Sequence, residues 1–576
     1  MIIALVCTPL SHAADPAKIL HVAAYDIDTL DPQQYSDDPS FQVVQAIFEP
    51  AFEWDYLSTT PRLSPLTAAA PAEITDGGKV WTIRLQRGIF FHDDPAFKGK
   101  PRELSAADYA YSYRRWLDPN GRRGGNPVLT DIIIGARAVV EAAKVSGKMN
   151  YDSPIDGLRV LDRYTLQLRL SEPNYPNVRD LLGFVGAAAR EVVEATGGDI
   201  RARAVGTGPF VLHEWKRGSR LVLHANPKYR AVRFPDSSES GNAALVASMK
   251  GKTLPQIGVV EINFIEEDST RLLQFEQGGL DYVALRGEIA TRLLQDGKLK
   301  PEYAKRGITR RVFAEPFLFS LYFNTLDPVI GGMSNEKIAL RRAMAFGYDT
   351  DTLIRVVLAG QAIPAGQLVP PGVGGHDPER PAKSLYDPET AKALLDRFGY
   401  DKRDADGYRR APDGSALTVT FSLRSGAVTR EIQTLWKKNM DAIGIRTDFR
   451  VSPFQEIIKE LEKSKFQLYQ GGFGGSPTGY NVHAQLHGRQ PQRVDVVQFK
   501  NADYDRAAEQ FLRGNTDDEQ IAAARTMAEI ARTYMPLLPL YFRLQNDYVQ
   551  PWLLGYNPFV FSSYWKYLDI DLARRK

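Results

Sequence analysis

One cysteine is all that this chain of 576 residues contains, and it lies at position 7. Past that segment no disulfide can staple the fold, and no thiol is available as a nucleophile. After the first ten residues no stretch carries the ~18 uncharged apolar residues that a membrane span needs. Neither sign of charge prevails: 72 basic residues stand against 69 acidic ones, a net of +3. That balance argues against nucleic acid or an anionic membrane surface as a partner. Internal repeats are missing, and one glycine-rich stretch is the only biased segment.

What is present is ordinary globular composition, 43% hydrophobic and 24% charged. The length suits several domain-sized units or a few large ones, with a sizeable core. Aromatics reach 10%, with 26 Tyr and 27 Phe, which suits stacking on flat ligand surfaces as well as core packing. Residues 1–14 read as a secretory leader: apolar from Ile2 to Leu10, then Ser11-His12-Ala13 as a small-x-small cleavage site. The basic start of such a leader is missing from the segment. Val6 is not the small residue that lipid attachment at Cys7 would want. The expected location is the periplasm.

Alternation and capping signals give a mixed α/β order. Strands are expected at His21–Ala24, Val80–Leu85, Gly258–Ile265, Leu280–Leu285, Phe317–Asn324 and Leu537–Phe542. A hairpin is expected around Asp162-Arg163, and another from Pro209 to His224. Helices are expected over Ser40–Trp54, after Ser105, over Asn335–Phe346, Asp349–Ala359 and 429–443, and after Asp387, Asn501 and Thr516. Residues 119–130 read as a long loop. From 380 to 470 helix and strand alternate, as in an open α/β sheet.

Phe466–Tyr480 (FQLYQGGFGGSPTGY) begins as a strand and then places five glycines within nine residues around Phe473. Such a run serves as a surface loop, or as backbone that another surface approaches closely. Three motifs nearby or elsewhere offer chemistry and fall short. Gly206-Thr207-Gly208 precedes Pro209 and a strand, where a phosphate loop needs a helix N-terminus. Gly474-Gly-Ser476-Pro-Thr478 approaches a nucleophile elbow, but Pro477 has no N–H to offer an oxyanion. His483 and His487 have the spacing of a zinc-protease helix, yet Ala484 stands where the general base belongs. Two polar helix residues is the plain reading of that pair. With eight histidines and no complete motif, an enzyme is not expected, and neither a metal nor a cofactor.

Five stretches in order resemble the family 5 extracellular solute-binding proteins of ABC importers: Trp81–Asp94, Ser105–Pro119, Val205–Tyr229, Tyr322–Thr325 and Tyr386–Gly399. The resemblance spans nearly the whole chain past the leader. It implies a two-lobe periplasmic binding protein fold (type II, large cluster C type) with an extra subdomain in the first lobe. Lobe I would take residues 15–310, with the insert at about 57–190, and again 541–576; lobe II would take 311–540. Crossovers near Arg311–Phe317 and Leu538–Arg543 would form the hinge. The implied function is capture of an oligopeptide or peptide-like solute for a membrane permease, by a monomer. A metal chelate, haem or sugar is the alternative within the same fold.

The resemblance also implies a recognition loop at the glycine stretch. Peptide-binding members place a Trp where this chain has Phe473, and an Asp, which holds the peptide amine, where it has Ser476. Some use an Arg at the place of Gln470. Both charged anchors are therefore neutral here, which would weaken binding of a free amine about tenfold or more. Asp26 or Asp28 is expected to supply the missing carboxylate. The implied ligand-facing set is Tyr25, Asp26, Phe323, Asn324, Gln470, Phe473, Gly474, Gly475, Ser476 and Tyr480.

Overall fold

A computed structural model describes residues 14–575 except 36, 381, 489–495, 558, 559 and 562. Apart from Ala14, the expected leader and its Cys7 lie outside the described residues.

Three sheets carry the architecture. In the first, strand Asp15–Ala24 pairs in parallel with Ile257–Phe264, which continues antiparallel to Arg220–Ala225 and then Phe210–Lys216. Leu20, Val22, Leu221, Leu223, Val260 and Ile262 alternate inward along these strands and are buried. The second sheet is antiparallel, built from Glu73–Thr75, Val80–Arg84, Thr165–Arg169 and Leu158–Asp162. Helix Ala106–Leu117 packs on it, started by a capping box between Ser105 and Asp108.

The third sheet is mixed and follows the order 282–285, 537–549, 309–323, 468–474, 418–424, 446–452. Its two long strands, Thr309–Phe323 and Leu537–Val549, run antiparallel. Their pairing breaks register between Ala314 and Leu318. On one side of that break the ribbon carries Tyr282–Leu285, on the other the glycine strand Leu468–Gly474. Helix Thr429–Ile443 buries Trp436 and Met440 against Phe421 and Tyr348 to close the core of this sheet.

Several boundaries differ from expectation. The helix expected over Ser40–Trp54 ends at Ile47, because Pro50 cannot donate to a continuing turn; Phe52–Trp54 is a strand. The loop expected over 119–130 already contains the start of helix Pro127–Ile132, capped by the Asn126 side chain. The helix expected over Asp349–Ala359 is α-helical only over Thr350–Thr352 and then widens to a π turn over Leu353–Val357. Both ribbon strands are longer than their apolar runs. Their extra length is polar and is held by partners such as Arg310, whose Nε donates to Asn546 Oδ1 at 2.9 Å.

Gly206 and Gly208 have a packing role. A Cβ at these positions would stand 2.0 and 2.6 Å from the Ile47 carbonyl oxygen, at the end of helix Asp38–Ile47.

Candidate functional site

The glycine stretch is largely strand, not loop. Phe317 to Phe323 pair with Gly474 to Leu468 residue by residue. A Cβ at Gly471 would meet the Tyr469 ring at 2.3 Å, and one at Gly472 the Phe317 ring at 2.0 Å. The aromatic side chains of this sheet lie across a bare backbone there, so any larger residue displaces a ring.

The chain turns after Gly474. The Gly475 N–H donates to the Pro316 carbonyl, and the Ser476 N–H to Asn481 Oδ1 at 2.7 Å. The Gly374 N–H donates to the Pro477 carbonyl at 2.7 Å. Gly479 has φ of +74°, and a Cβ there would lie 2.0 Å from the Gly374 oxygen. The turn is thus pinned against segment 369–376 rather than loose.

This pinned turn faces helix Tyr175–Phe184, whose Tyr175 packs on Trp81 of the second sheet. Phe473 packs in an apolar cluster with Val369, Val373 and Val482 on its own side and Trp54, Leu63, Phe184 and Phe561 from elsewhere in the chain. Trp54 and Phe184 have ring centroids 6.2 Å apart. Asp180 lies one helical turn before Phe184, on the same face. Thr478 Oγ1 donates to Asp180 Oδ2 at 3.0 Å, and the Ser476 hydroxyl lies beside the same carboxylate. Asp180 Oδ1 is buried with no hydrogen-bond partner among the described residues, and so is Trp54 Nε1. Burial pushes the Asp180 carboxyl up to about 7, against the pull of the Ser476 and Thr478 hydroxyls and of Arg179. Arg179 ties the same helix across the seam, donating from Nη2 to the Asn515 carbonyl and side-chain oxygen at 2.8 Å each.

A second polar array sits on the ribbon, at the register break. Glu315 is 5% exposed and accepts from Arg286 Nε and, at 2.7 Å, from Arg543 Nε. Arg543 lies over the Phe319 ring, which stacks on Tyr541 at 4.7 Å. Asp547 follows on the same strand. Burial pushes its carboxyl up to about 6 while hydrogen bonds from Gln545 and Tyr556 pull it down.

The ligand-facing set expected from sequence is scattered. Phe473, Gly474, Gly475 and Ser476 gather at the seam. Gln470 is buried beside Tyr541, with its Oε1 unpartnered among the described residues. Phe323 is fully buried in the core of the mixed sheet. Asn324 is spent on structure, donating to the Ser464 and Phe466 carbonyls at 2.9 and 2.7 Å. Tyr480 is buried and bonds His487 Nδ1 at 2.8 Å, at the wall of a cavity of about 160 Å³ that Asn174 and Arg513 also line.

Tyr25 stacks under Arg271 at 3.9 Å. Asp26 accepts from Ile27 and from Gly218, in the hairpin turn of the first sheet. Asp28 pairs with Arg122. The acid that reaches Ser476 and Thr478 is neither of these but Asp180, which no motif marked. Its one signal is Phe184, an aromatic residue four places on from it.

The two histidines are core residues, not surface ones. His483 is 1% exposed and packs 5.1 Å from Phe511, and burial pushes its imidazole down to about 3. His487 is 3% exposed. Ser476 bonds Asn481 and Thr478, and its hydroxyl lies beside the Asp180 carboxylate. Among the described residues no cluster of three or more His, Cys, Asp or Glu could hold a metal, and no helix is long and apolar enough to cross a membrane.

Comparison with known proteins agrees with this architecture. The di/tripeptide-binding protein 2 of Pseudomonas aeruginosa (strain UCBPP-PA14) is 24% identical over 497 residues, covering 84% of this chain and 82% of that protein. The periplasmic oligopeptide-binding protein OppA of Escherichia coli (strain K12) is 24% identical over 559 residues, covering 92% and 88%. Among solved structures, the periplasmic binding protein DppA of Helicobacter pylori in complex with peptide STSA superposes with a TM-score of 0.69 at 19% identity, covering 96% of this chain and 98% of that one. The fold is that of the periplasmic binding proteins, an α/β architecture. The family model for bacterial extracellular solute-binding proteins, family 5 Middle, matches residues 62–488, and the chain belongs to that family.

Proposed function

We propose that this chain is the periplasmic substrate-binding component of an ABC importer, capturing an oligopeptide or peptide-like solute between two lobes and passing it to a membrane permease. Lobe I comprises 15–310, with its insert at about 57–190, and 541–576. Lobe II comprises 311–540. The ribbon of Thr309–Phe323 and Leu537–Val549 is the natural hinge, since its pairing already breaks between Ala314 and Leu318. Ligand then selects the closed arrangement by touching both sides. The protein acts as a monomer without catalysis, cofactor or nucleic acid, after removal of its leader.

The observation that carries this reading is the seam at Phe473. There Phe473 of the mixed sheet packs against the same apolar cluster as Trp54 and Phe184, with unpartnered polar atoms beside it. An apolar lining with a few polar groups beside it is how a solute site is built. Phe473, Gly474, Gly475 and Ser476 form one wall of it, and Trp54, Phe184 and Asp180 the other.

Native mass spectrometry of protein purified from its own periplasm tests the reading. A stoichiometric peptide-like adduct is expected. Protein that is always empty there, and that peptides never stabilise against melting, would contradict it.

A further inference from the structure

A second hollow lies away from the seam, wholly within residues 345–540. It holds about 90 Å³ and shares no lining residue with the apolar cluster around Phe473. Its floor is apolar and buried, formed by Ala345, Leu368, Ala531, Met535, Leu538 and Leu540. Among the described residues its only solvent-exposed lining side chains are Lys383 and Arg532, so both stand at the mouth, with Arg380 half-buried in the same lining. Glu529 pairs with Arg380 and Arg532 at 2.8 and 2.6 Å, while Lys383 enters no ion pair among the described residues. Three cations therefore stand against one acid. Positive charge lies under the floor as well. Arg341 comes one helical turn before Ala345 on helix Asn335–Gly347 and is fully buried. Its guanidinium donates to the carbonyls of Ile330, Gly332, Tyr534 and Met535, with no carboxylate partner among the described residues. Burial pushes it down to about 10 against the pull of Tyr400, so it stays charged at neutral pH. A buried cation balanced by carbonyl dipoles alone favours negative charge nearby.

We propose that this hollow is a second ligand site, taking a short-chain carboxylate with its tail among Ala531, Met535 and Leu538 and its head group at Lys383 and Arg532. The apolar floor rejects a fully polar anion, and the cationic mouth rejects an amphipathic cation. Apolar cavities of about 150 Å³ take up molecules the size of benzene, so the tail that fits here is short. The site is separate from solute capture at Phe473. Its wall Leu537–Leu540 runs on into the ribbon strand that carries Arg543, so an occupant touches the element read above as the hinge.

Calorimetric titration of the full chain with hexanoate, and separately with hexylammonium, tests this. Wild type is expected to bind hexanoate at one site and hexylammonium about tenfold more weakly or worse, the range of a hydrogen bond to a charged group. Ala528→Leu pushes a larger side chain into the hollow from its half-buried wall and is expected to weaken hexanoate about tenfold or more. Lys383→Gln removes an exposed charge and should weaken hexanoate about 2–5-fold, an effect that fades at high salt. No hexanoate binding, equal binding of the two amphiphiles, or hexanoate binding that Ala528→Leu leaves intact would overturn the site. Should Ala528→Leu not fold, the preference for hexanoate together with its loss in Lys383→Gln decides the matter. Peptide capture stands or falls by its own adduct measurement, whichever way these titrations go.

Discussion

Two buried acids sit where segments from distant parts of the chain meet, and they are treated oppositely. Glu315, on the ribbon, has both oxygens taken by the guanidinium groups of Arg286 and Arg543. Asp180, at the seam, has the Thr478 hydroxyl on one oxygen, with the Ser476 hydroxyl beside the carboxylate, and nothing among the described residues on the other oxygen. Glu315 is complete without any added molecule and holds the strands in register at their break. Asp180 is incomplete, and its environment is desolvated by apolar rings rather than balanced by charge. A paired buried charge is evidence of structure, and an under-paired one at an aromatic seam is evidence of a site waiting for its complement.

That contrast can be broken by mutation, and the largest effect is expected at Asp180. Its folded-state carboxyl titrates near 7 because burial disfavours the charge, against an ordinary value of 3.8. Ionisation therefore costs the folded chain stability, absent below about pH 4 and complete above about pH 7. Asp180→Asn removes that penalty. Urea unfolding should show the variant more stable than wild type by roughly 2–4 kcal/mol at pH 8, with no difference at pH 4. A variant that is less stable at pH 8 would mean that the carboxylate is a structural partner of Thr478 after all.

Glu315 should behave in the opposite sense. Glu315→Ala leaves Arg286 and Arg543 facing each other without their shared acceptor. Their side chains are 41% and 35% exposed, so water softens the loss below that of a fully buried pair. A destabilisation of about 2 kcal/mol is expected in the same unfolding assay. No loss would remove the ribbon cluster from the account of what keeps the two strands aligned.

The contrast also explains what was legible in the sequence. Paired strands and capped helices follow local rules, so the hairpin at Asp162-Arg163, the box at Ser105 and the helix 429–443 could be read directly. Strand length could not, because Thr309–Phe323 and Leu537–Val549 continue into polar residues that only a partner strand stabilises. The glycine stretch was recognisable as a close-approach backbone, but what approaches it is the chain's own Phe317 and Tyr469. The seam was half legible. Phe473 and Ser476 lie on one continuous segment, whereas Asp180 and Trp54 reach them through tertiary packing that no spacing encodes. Asp26 and Asp28 are nearer the start of the first sheet, and both already have partners in Gly218 and Arg122.

The central claim is that a solute enters between the glycine turn and helix Tyr175–Phe184. Hydrogen–deuterium exchange with and without a mixed tripeptide library measures this directly. Protection is expected in 473–479 and in 175–184 together, because the solute touches both walls. Protection in neither segment, or confined to one of them, would contradict capture at this seam.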